Sequence, residues 1–315
     1  MNDDRRRFIR NSCLGLGCVM IGGKILTSCK TMKPNFDLLQ QMPPDALYKI
    51  RHLKGNVGIF TEKGGTIAWY ADQKHASIVD TQFPDQVNHL LEQLFKITDR
   101  KIESVYNTHH HGDHTGGNVV LKDMTPRIIS HVNSKSNQER AAKLKGDTNH
   151  LALPNIVFDN EFKEVVGEES MACQYFGRAH TDGDIVVHFQ NTNIAHIGDL
   201  VFNRRFPYID MGAGAGIKSW ISVLDQVIKY YDSKTIFVCG HSSDGYDVVL
   251  TKDDITAFQS YLSNLLLFGE KAIAAGKTLE EVKANTKLIP GSEQWKGDGI
   301  ARSLDAVYQE LNPKF

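Results

Sequence analysis

The stretch Asn107–Asn118, NTHHHGDHTGGN, decides how the rest of the chain is read. His109, His111, Asp113 and His114 put three imidazoles and a carboxylate into six positions, and Gly116 and Gly117 follow at once. A solvated polar loop has no reason to carry metal-ligand residues at this density, and an expression tag would be terminal and lack the aspartate and glycines. The run before it, Ile102–Tyr106, is apolar and β-branched and reads as a strand, so the histidines sit on the loop leaving its C-terminal end. On an extended turn His109 and His111 project to one side and can chelate one cation. Asp113 and His114 come from the next bend and can reach a second, while His110 points elsewhere.

Outward from this loop the chain alternates strand and helix. Asn56–Glu62, Thr66–Tyr70 and Ala76–Asp80 read as strands, the first two joined as a hairpin through Lys63, Gly64 and Gly65. After Pro84 the set Val87, Leu90, Leu91, Leu94 has helical spacing. Arg127–His131 reads as a strand and Ser134–Lys145 as a polar helix. A second sheet is outlined by Met171–Phe176, Asp184–Gln190, Ile194–Gly198 and Thr235–Gly240. Three further stripes predict helices: Trp220, Val223, Leu224, Val227 and Ile228; then Ile255, Phe258, Leu262, Leu265 and Leu266; then Ile300, Leu304, Val307, Tyr308 and Leu311. Thr278 with Glu281 has the form of a capping box opening a short helix. Two strand-rich blocks, each followed by helices, predict an α/β fold of two sheets packed face to face and covered on both outer sides.

Three more candidate ligands fall where these strands end, each beside glycine or another small residue that lets backbone approach a site. They are His180 in GRAHTDGD, Asp199 in HIGDL and His241 in VCGHS. The seven distribute over two ions: His109, His111 and His180 on one, Asp113, His114 and His241 on the other, with Asp199 bridging both. Two divalent ions, two carboxylates and a hydroxide sum to about +1, enough to keep the hydroxide ionised near neutral pH and to attract an anionic substrate. His188 and His196, inside strands, and His52, His75, His89, His131 and His150, without the glycine context, read as structural.

With 315 residues, 41% hydrophobic and 23% charged, the chain can bury one sizeable core. Residues 1–28 read as a targeting segment. Arg5, Arg6, Arg7 and Arg10 precede an apolar stretch, Leu14–Leu26, that is too short to span a bilayer. Its removal takes away five Lys/Arg and two Asp and moves the formal charge from −1 to −4. A mildly acidic domain argues against a phosphate-backbone partner, so no nucleic acid is expected. Residues 29–46, with Pro34, Pro43 and Pro44, read as a tether, and 47–315 as a single domain. Cys173 and Cys239 lie in apolar runs and read as small buried hydrophobes.

RRRFIR resembles a twin-arginine export signal, and Leu26-Thr27-Ser28-Cys29 resembles the lipobox of bacterial lipoproteins. The resemblance implies cleavage before Cys29, a lipid on its thiol, and a place on the periplasmic side of the cell envelope. HHHGDH at 109–114 resembles the HxHxDH signature of the metallo-β-lactamase superfamily, and His180, Asp199 and His241 stand in the order that superfamily uses for its later ligands. The resemblance implies an αββα sandwich with the site at one edge between the sheets, and Asp80, in IVDT, supporting a ligand histidine from behind.

The activity implied is hydrolysis of a small-molecule ester, thioester, lactone or amide by a metal-bridging hydroxide, with Asp113 or Asp199 accepting its proton. Zinc is the first expectation, with iron and manganese compatible. Asp199 is similar to the occupant of that place in glyoxalase II and the lactonases. The intervals around it resemble β-lactamases, in which a basic residue holds the drug's carboxylate where Phe202 stands here, and Arg204 or Arg205 is a candidate substitute. β-Lactam hydrolysis is therefore the alternative, and a non-catalytic metal-binding lipoprotein with a closed shell a further one. The absence of an attached flavin domain speaks against a redox member, and the acidic surface against a nuclease. Asn203–Trp220, with Arg204, Arg205, Phe206 and Tyr208, is expected to form a flexible wall of the pocket, and the hairpin carrying Trp69 the opposite one. Gly212–Ser219 looks briefly like a phosphate loop but lacks the glycine before its lysine.

Overall fold

The computed structural model describes residues 34–40, 46–98, 102–146 and 152–312. The proposed signal segment, Cys29, Pro43, Pro44 and His150 lie outside them. Among the described residues no helix is long and apolar enough to cross a membrane.

Two sheets form the centre. The first runs in chain order: β1 (Lys49–Lys54), β2 (Val57–Thr61), β3 (Ile67–Ala71), β4 (Ala76–Val79), β5 (Ile102–Tyr106), β6 (Arg127–His131) and β7 (Ile156–Phe158). Its strands pair antiparallel up to β4 and parallel from β4 to β7. The second has the order β13 (Val249–Leu250), β12 (Ile236–Ser242), β11 (Ile194–Asn203), β10 (Ile185–Phe189), β9 (Glu169–Tyr175), β8 (Glu161–Val166), and there β11 and β12 run parallel. Parallel neighbours need crossovers. Helix α1 (Pro84–Leu94) lies between β4 and β5, two single turns α2 (Gly112–Thr115) and α3 (Asn118–Leu121) between β5 and β6, α4 (Val132–Lys145) between β6 and β7, and α5 (Ile217–Tyr230) between β11 and β12. After the second sheet come α6 (Lys252–Ala274), α7 (Leu279–Asn285) and α8 (Ile300–Leu311). This is the αββα arrangement expected.

Side-chain alternation builds the layers. In β3 every residue is buried, but Ala68 and Tyr70 join the core between the sheets while Ile67, Trp69 and Ala71 join a second core under α1. That second core is completed by Val87, Leu90, Leu91 and Leu94, the helical stripe read from the sequence. Trp220, Val223, Leu224 and Val227 of α5, with Ile255, Phe258 and Leu262 of α6, extend the first. Each fully buried side chain of this size contributes about 1.5–3 kcal/mol. Thr278 and Glu281 form the expected capping box, and Cys173 and Cys239 are buried and free.

Some elements were not legible. In β1 only Ile50 is buried, and β8 alternates exposed with half-buried residues and buries only Val166. Polar, largely exposed strands of this kind lack the apolar run by which strands are read. Part of the stretch read as a tether is packed: Phe36–Gln40 forms a 3-10 turn, Leu39 is 2% exposed, and Phe36 stacks on His52 with ring centroids 4.1 Å apart. The expected strand Ile194–Gly198 continues to Asn203, and the reason bears on the site.

Candidate metal centre

The loop after β5 is closed by its own ends. Asn118 Nδ2 donates to Asn107 Oδ1 (2.8 Å) and Asn107 Nδ2 to Asn118 Oδ1 (3.2 Å), both residues being buried. Between them the chain is extended at His111 and then turns helically through α2, so the two pairs of ligands come from consecutive bends as expected. His109 Nε2 lies 3.0 Å from His111 Nδ1, which lies 2.9 Å from His180 Nε2, with the three rings nearly edge-on to one another. On the other side His241 Nε2 is 3.2 Å from Asp113 Oδ2 and 3.4 Å from His114 Nε2. Asp199 stands between: its Oδ2 is 3.5 Å from both His180 Nε2 and His241 Nε2, and its Oδ1 is 3.2 Å from His114 Nε2.

Asp199 reaches this place through an irregularity in β11. Gly198 pairs with Cys239 and Phe202 with His241, so four steps on β11 face two on β12, and Asp199 lies in the extra length. Asp199 therefore sits inside its strand rather than at its end, whereas His241 is the last residue but one of β12. Gly198 has φ +49°, and Gly240 has no room for more: a Cβ there would stand 2.0 Å from Asp199 Oδ1.

The outward nitrogens decide where the lone pairs point. His180 Nδ1 donates to the Tyr208 carbonyl (2.8 Å), His114 Nδ1 to Asp80 Oδ2 (2.7 Å) and His111 Nε2 to Asp210 Oδ2 (2.9 Å). Those partners are acceptors only, so each imidazole carries its proton outside and turns a lone pair inward. His109 Nδ1 donates to Thr108 Oγ1 (3.0 Å), whose hydroxyl donates in turn to Asp80 Oδ2 (2.8 Å). One buried aspartate thus orients His114 directly and His109 through a hydroxyl, as such outer carboxylates do behind metal ligands. Lone pairs converging at 2.9–3.5 Å suit a four-coordinate ion, whose nitrogen ligands at about 2.0–2.1 Å stand about 3.3 Å apart. Asp199 Oδ1 is buried and faces His114 Nε2 at 3.2 Å, a separation that two ligands of one cation would have. Among the described residues three groups could hold one: His109, His111, His180 with Asp199; Asp113, His114 with His241; and, outside the expected set, His110 and His111 with Asp210.

Electrostatics agree with that grouping. Burial, then the neighbouring imidazoles, pulls His109 well below its ordinary value, and burial brings His180 to about 3, so both are neutral as ligands must be. Burial raises Asp113 and Asp199, but His241 and His114 outweigh it and hold both carboxyls below the usual range. His114 is the exception: burial lowers it, yet Asp199 and Asp80 carry it well above, so without an ion it holds a second proton on the Nε2 that faces Asp199, which a metal would have to displace.

The expected pocket walls are partly corrected. Trp69 is fully buried under α1, on the face of β3 turned from the other sheet, because successive side chains of a strand alternate. The turn of that hairpin does reach the site, where Gly65 N donates to the Asp113 carbonyl (3.0 Å). Phe206 is buried among core residues, Arg205 is exposed beside Lys296, and Arg204 lies over the Trp295 ring at 4.7 Å. Only Tyr208 of that set flanks the cluster, its ring 5.3 Å from His111. Asn203–Trp220 is a pinned wall rather than a flexible one: Arg140 donates to the Gly212 carbonyl (2.8 Å) and Asp182 N to that of Ala213 (2.8 Å). The N-terminus of α5, where a phosphate would sit, is filled by Glu310, which accepts from Ile217 N (2.5 Å) and Lys218 N (2.9 Å). Phe202 is stacked on His241.

Asp210 is the residue that sequence reasoning missed. It lies 99 positions from the histidine it orients, and its local context announces only a turn. His110 faces it at 3.6 Å and enters neither of the expected clusters. The described histidines read as structural have structural partners: His196 Nε2 donates to the Thr66 carbonyl, His131 Nδ1 accepts from Asn133 N, and His188, His52, His75 and His89 each bond a neighbour.

A model of the metallo-β-lactamase superfamily matches residues 61–241, more than half of the chain. The chain is 32% identical over 130 residues to a hydroxyacylglutathione hydrolase of Crocosphaera subtropica, 41% of this chain and 44% of that protein. It is 27% identical over 169 residues to a metallo-β-lactamase type 2 of Bacillus cereus, 53% of this chain and 63% of that one. A solved double mutant of the sec-alkyl sulfatase PisA1 shares the fold, with a TM-score of 0.68 at 14% identity over 84% of this chain and 50% of the other. With the site residues where the fold places them and the family match spanning them, the chain belongs to the metallo-β-lactamase superfamily.

Proposed function

We propose that the chain is a hydrolase that holds two divalent metal ions, zinc in the first instance, and cleaves an ester, thioester, lactone or amide of a small molecule. The observation that carries this is the pair of donor clusters with Asp199 between them, within 3.2–3.5 Å of His180, His114 and His241, and with four of the histidines held by an outer hydrogen bond. His109, His111 and His180 would hold one ion, Asp113, His114 and His241 the other, and Asp199 would span them. Ions bound there would supply a water-derived nucleophile near neutral pH and polarise the substrate carbonyl.

The chain's own residues do the rest. Asp113, with a third of its side chain exposed, is ionised at neutral pH and accepts a proton from incoming water on its carboxylate, to return it to the leaving group. Asp80 and Asp210 hold His114, His109 and His111 in one tautomer through the cycle. Tyr208, 38% exposed, borders the approach to His111. Access speaks against a closed storage shell: the side chains of Asp113, His111 and His241 are 33%, 17% and 12% exposed.

The similarity to a Bacillus cereus β-lactamase supports β-lactams as the alternative substrate. Against it stands Phe202, 4% exposed and stacked on His241, where the resemblance calls for a basic residue. The RRRFIR run and Cys29 support export and lipid attachment on the periplasmic side of a bacterial envelope. Metal analysis of the purified protein, followed by a panel of β-lactam, lactone, thioester and ester substrates, tests the reading. Two ions per chain and turnover of one class are expected. Hydrolysis of none above background, or far less than two ions bound, overturns it.

A further inference from the structure

The segment beyond the family match reaches back to the metal centre. Lys296 pairs with the loop after β11, its N donating to the Arg204 carbonyl and its carbonyl accepting from Phe206 N (3.0 Å each). Ser303 Oγ donates to the Pro207 carbonyl (3.0 Å), one residue before Tyr208. With Glu310 bonded to the start of α5, this fixes α8 against the cleft wall at both ends. Arg302, the residue before Ser303, is exposed, and its guanidinium lies over the Tyr208 ring, 5.3 Å from the centroid. That ring is in turn 5.3 Å from His111 and 6.2 Å from His180. Among the described residues no carboxylate lies within ion-pair distance of Arg302: Asp210 is engaged by His111 and by Ala213 N, and Asp305, one turn along α8, by Lys283.

We propose that Arg302 is a specificity-determining residue: it anchors a carboxylate that the substrate carries away from its scissile carbonyl. The inference rests on the hydrolase reading for the word substrate, and on geometry for the anchor. Arginine suits the task, because its planar fork binds a carboxylate in two-point fashion and stays charged at every working pH. Stacking on Tyr208 removes part of the side-chain freedom such a contact would otherwise have to freeze, and the Ser303 bond holds the helix that carries it against the wall. The two 5.3 Å steps bound the distance from His111 to the guanidinium. A six-carbon dicarboxylate can cover it, with one end at the metal cluster and the other at Arg302.

The test is a binding measurement on zinc-loaded full-length protein, with adipate as the two-ended probe and acetate as the one-ended control. Arg302→Gln should weaken adipate about fivefold more than acetate, the scale of a partly exposed ion pair, and Arg302→Lys should keep part of that difference. Raising the salt concentration should erase most of the difference in the wild type. Equal weakening of both probes, no weakening of either, or no adipate binding by the wild type overturns the proposal. In turnover, the preference for a carboxylate-bearing ester over its neutral methyl ester should fall by the same factor in Arg302→Gln. A chain that binds adipate through Arg302 yet hydrolyses nothing refutes the hydrolase reading and keeps the anchor.

Discussion

Asp80→Asn separates the orientation of the histidines from everything else about the site. Asp80 is fully buried with φ +61° and accepts three bonds, from Thr108 N (2.8 Å), Thr108 Oγ1 (2.8 Å) and His114 Nδ1 (2.7 Å). Asparagine has the same shape and tolerates the left-handed backbone as aspartate does, so the substitution adds little strain. Its amide offers one accepting oxygen where the carboxylate offers two. At least one of the three donors then faces an NH2 group, and if that donor is His114 Nδ1–H the ring must move its proton to Nε2, the nitrogen that faces Asp199. A hydrogen bond to a buried charged acceptor is worth about 1.5–3 kcal/mol. Losing one is equivalent to roughly 10- to 100-fold in affinity at the site it orients, the range seen when an outer carboxylate behind a metal ligand is removed. Zinc affinity measured by competition with a chromophoric chelator should fall by that factor for the Asp113, His114, His241 cluster. The fall should be smaller for the His109, His111, His180 cluster, which Asp80 reaches only through a hydroxyl. Affinities at both sites within a factor of two of wild type would refute the tautomer argument.

Three further outcomes are expected. Asp199→Ala removes the one side chain common to both clusters, so bound metal should fall below two ions per chain and turnover by at least about 10²-fold, with an unchanged circular dichroism spectrum. A variant that keeps two ions and full turnover would show that Asp199 bridges nothing. Glu310→Gln replaces one of the two oxygens that accept from Ile217 N and Lys218 N with a donor, at a cost of about 1–2 kcal/mol, which calorimetry should read as a fall of about 1.5–3 °C in Tm. Burial pushes the Asp184 carboxyl up to about 7 although it accepts from Thr181 N and Oγ1. Its folded pKa stands above the unfolded value near 3.9, so its contribution is full below about pH 4 and is lost as pH rises through 7. Relative to wild type, metal-free Asp184→Asn should therefore gain Tm between pH 4 and pH 7, and a pH-independent difference would count against a raised pKa.

Much of the site was legible because its first part is local. Four ligands within six residues need no tertiary information to be placed together: an extended His109–His111 pair and the bend that follows put two donor sets within reach of each other in any fold. His180 and His241 were found through their small-residue neighbours, and Gly240 shows what that context records, a backbone too close to Asp199 for any Cβ. The αββα layering was legible for a related reason. Helical stripes such as Val87, Leu90, Leu91 and Leu94 and the apolar strand runs each declare a face that must be covered.

What the chain order could not give depends on which faces meet. Trp69 reads as a candidate wall until the alternation of β3 turns it under α1, since one position along a strand exchanges the two sides of a sheet. Asp199 was expected between the two clusters, but the extra residues of β11 opposite β12 that put it there are a matter of register that no composition reveals. Asp210 and Arg302 come to His111 and Tyr208 from far along the chain, and only the packing of α8 and the pinned loop brings them there. The sequence by itself determined which donors could chelate, because covalent spacing sets short-range geometry. The tertiary structure alone decided which groups orient those donors and which border the cleft, because long-range neighbours are chosen by the burial of whole faces and not by the residues that meet.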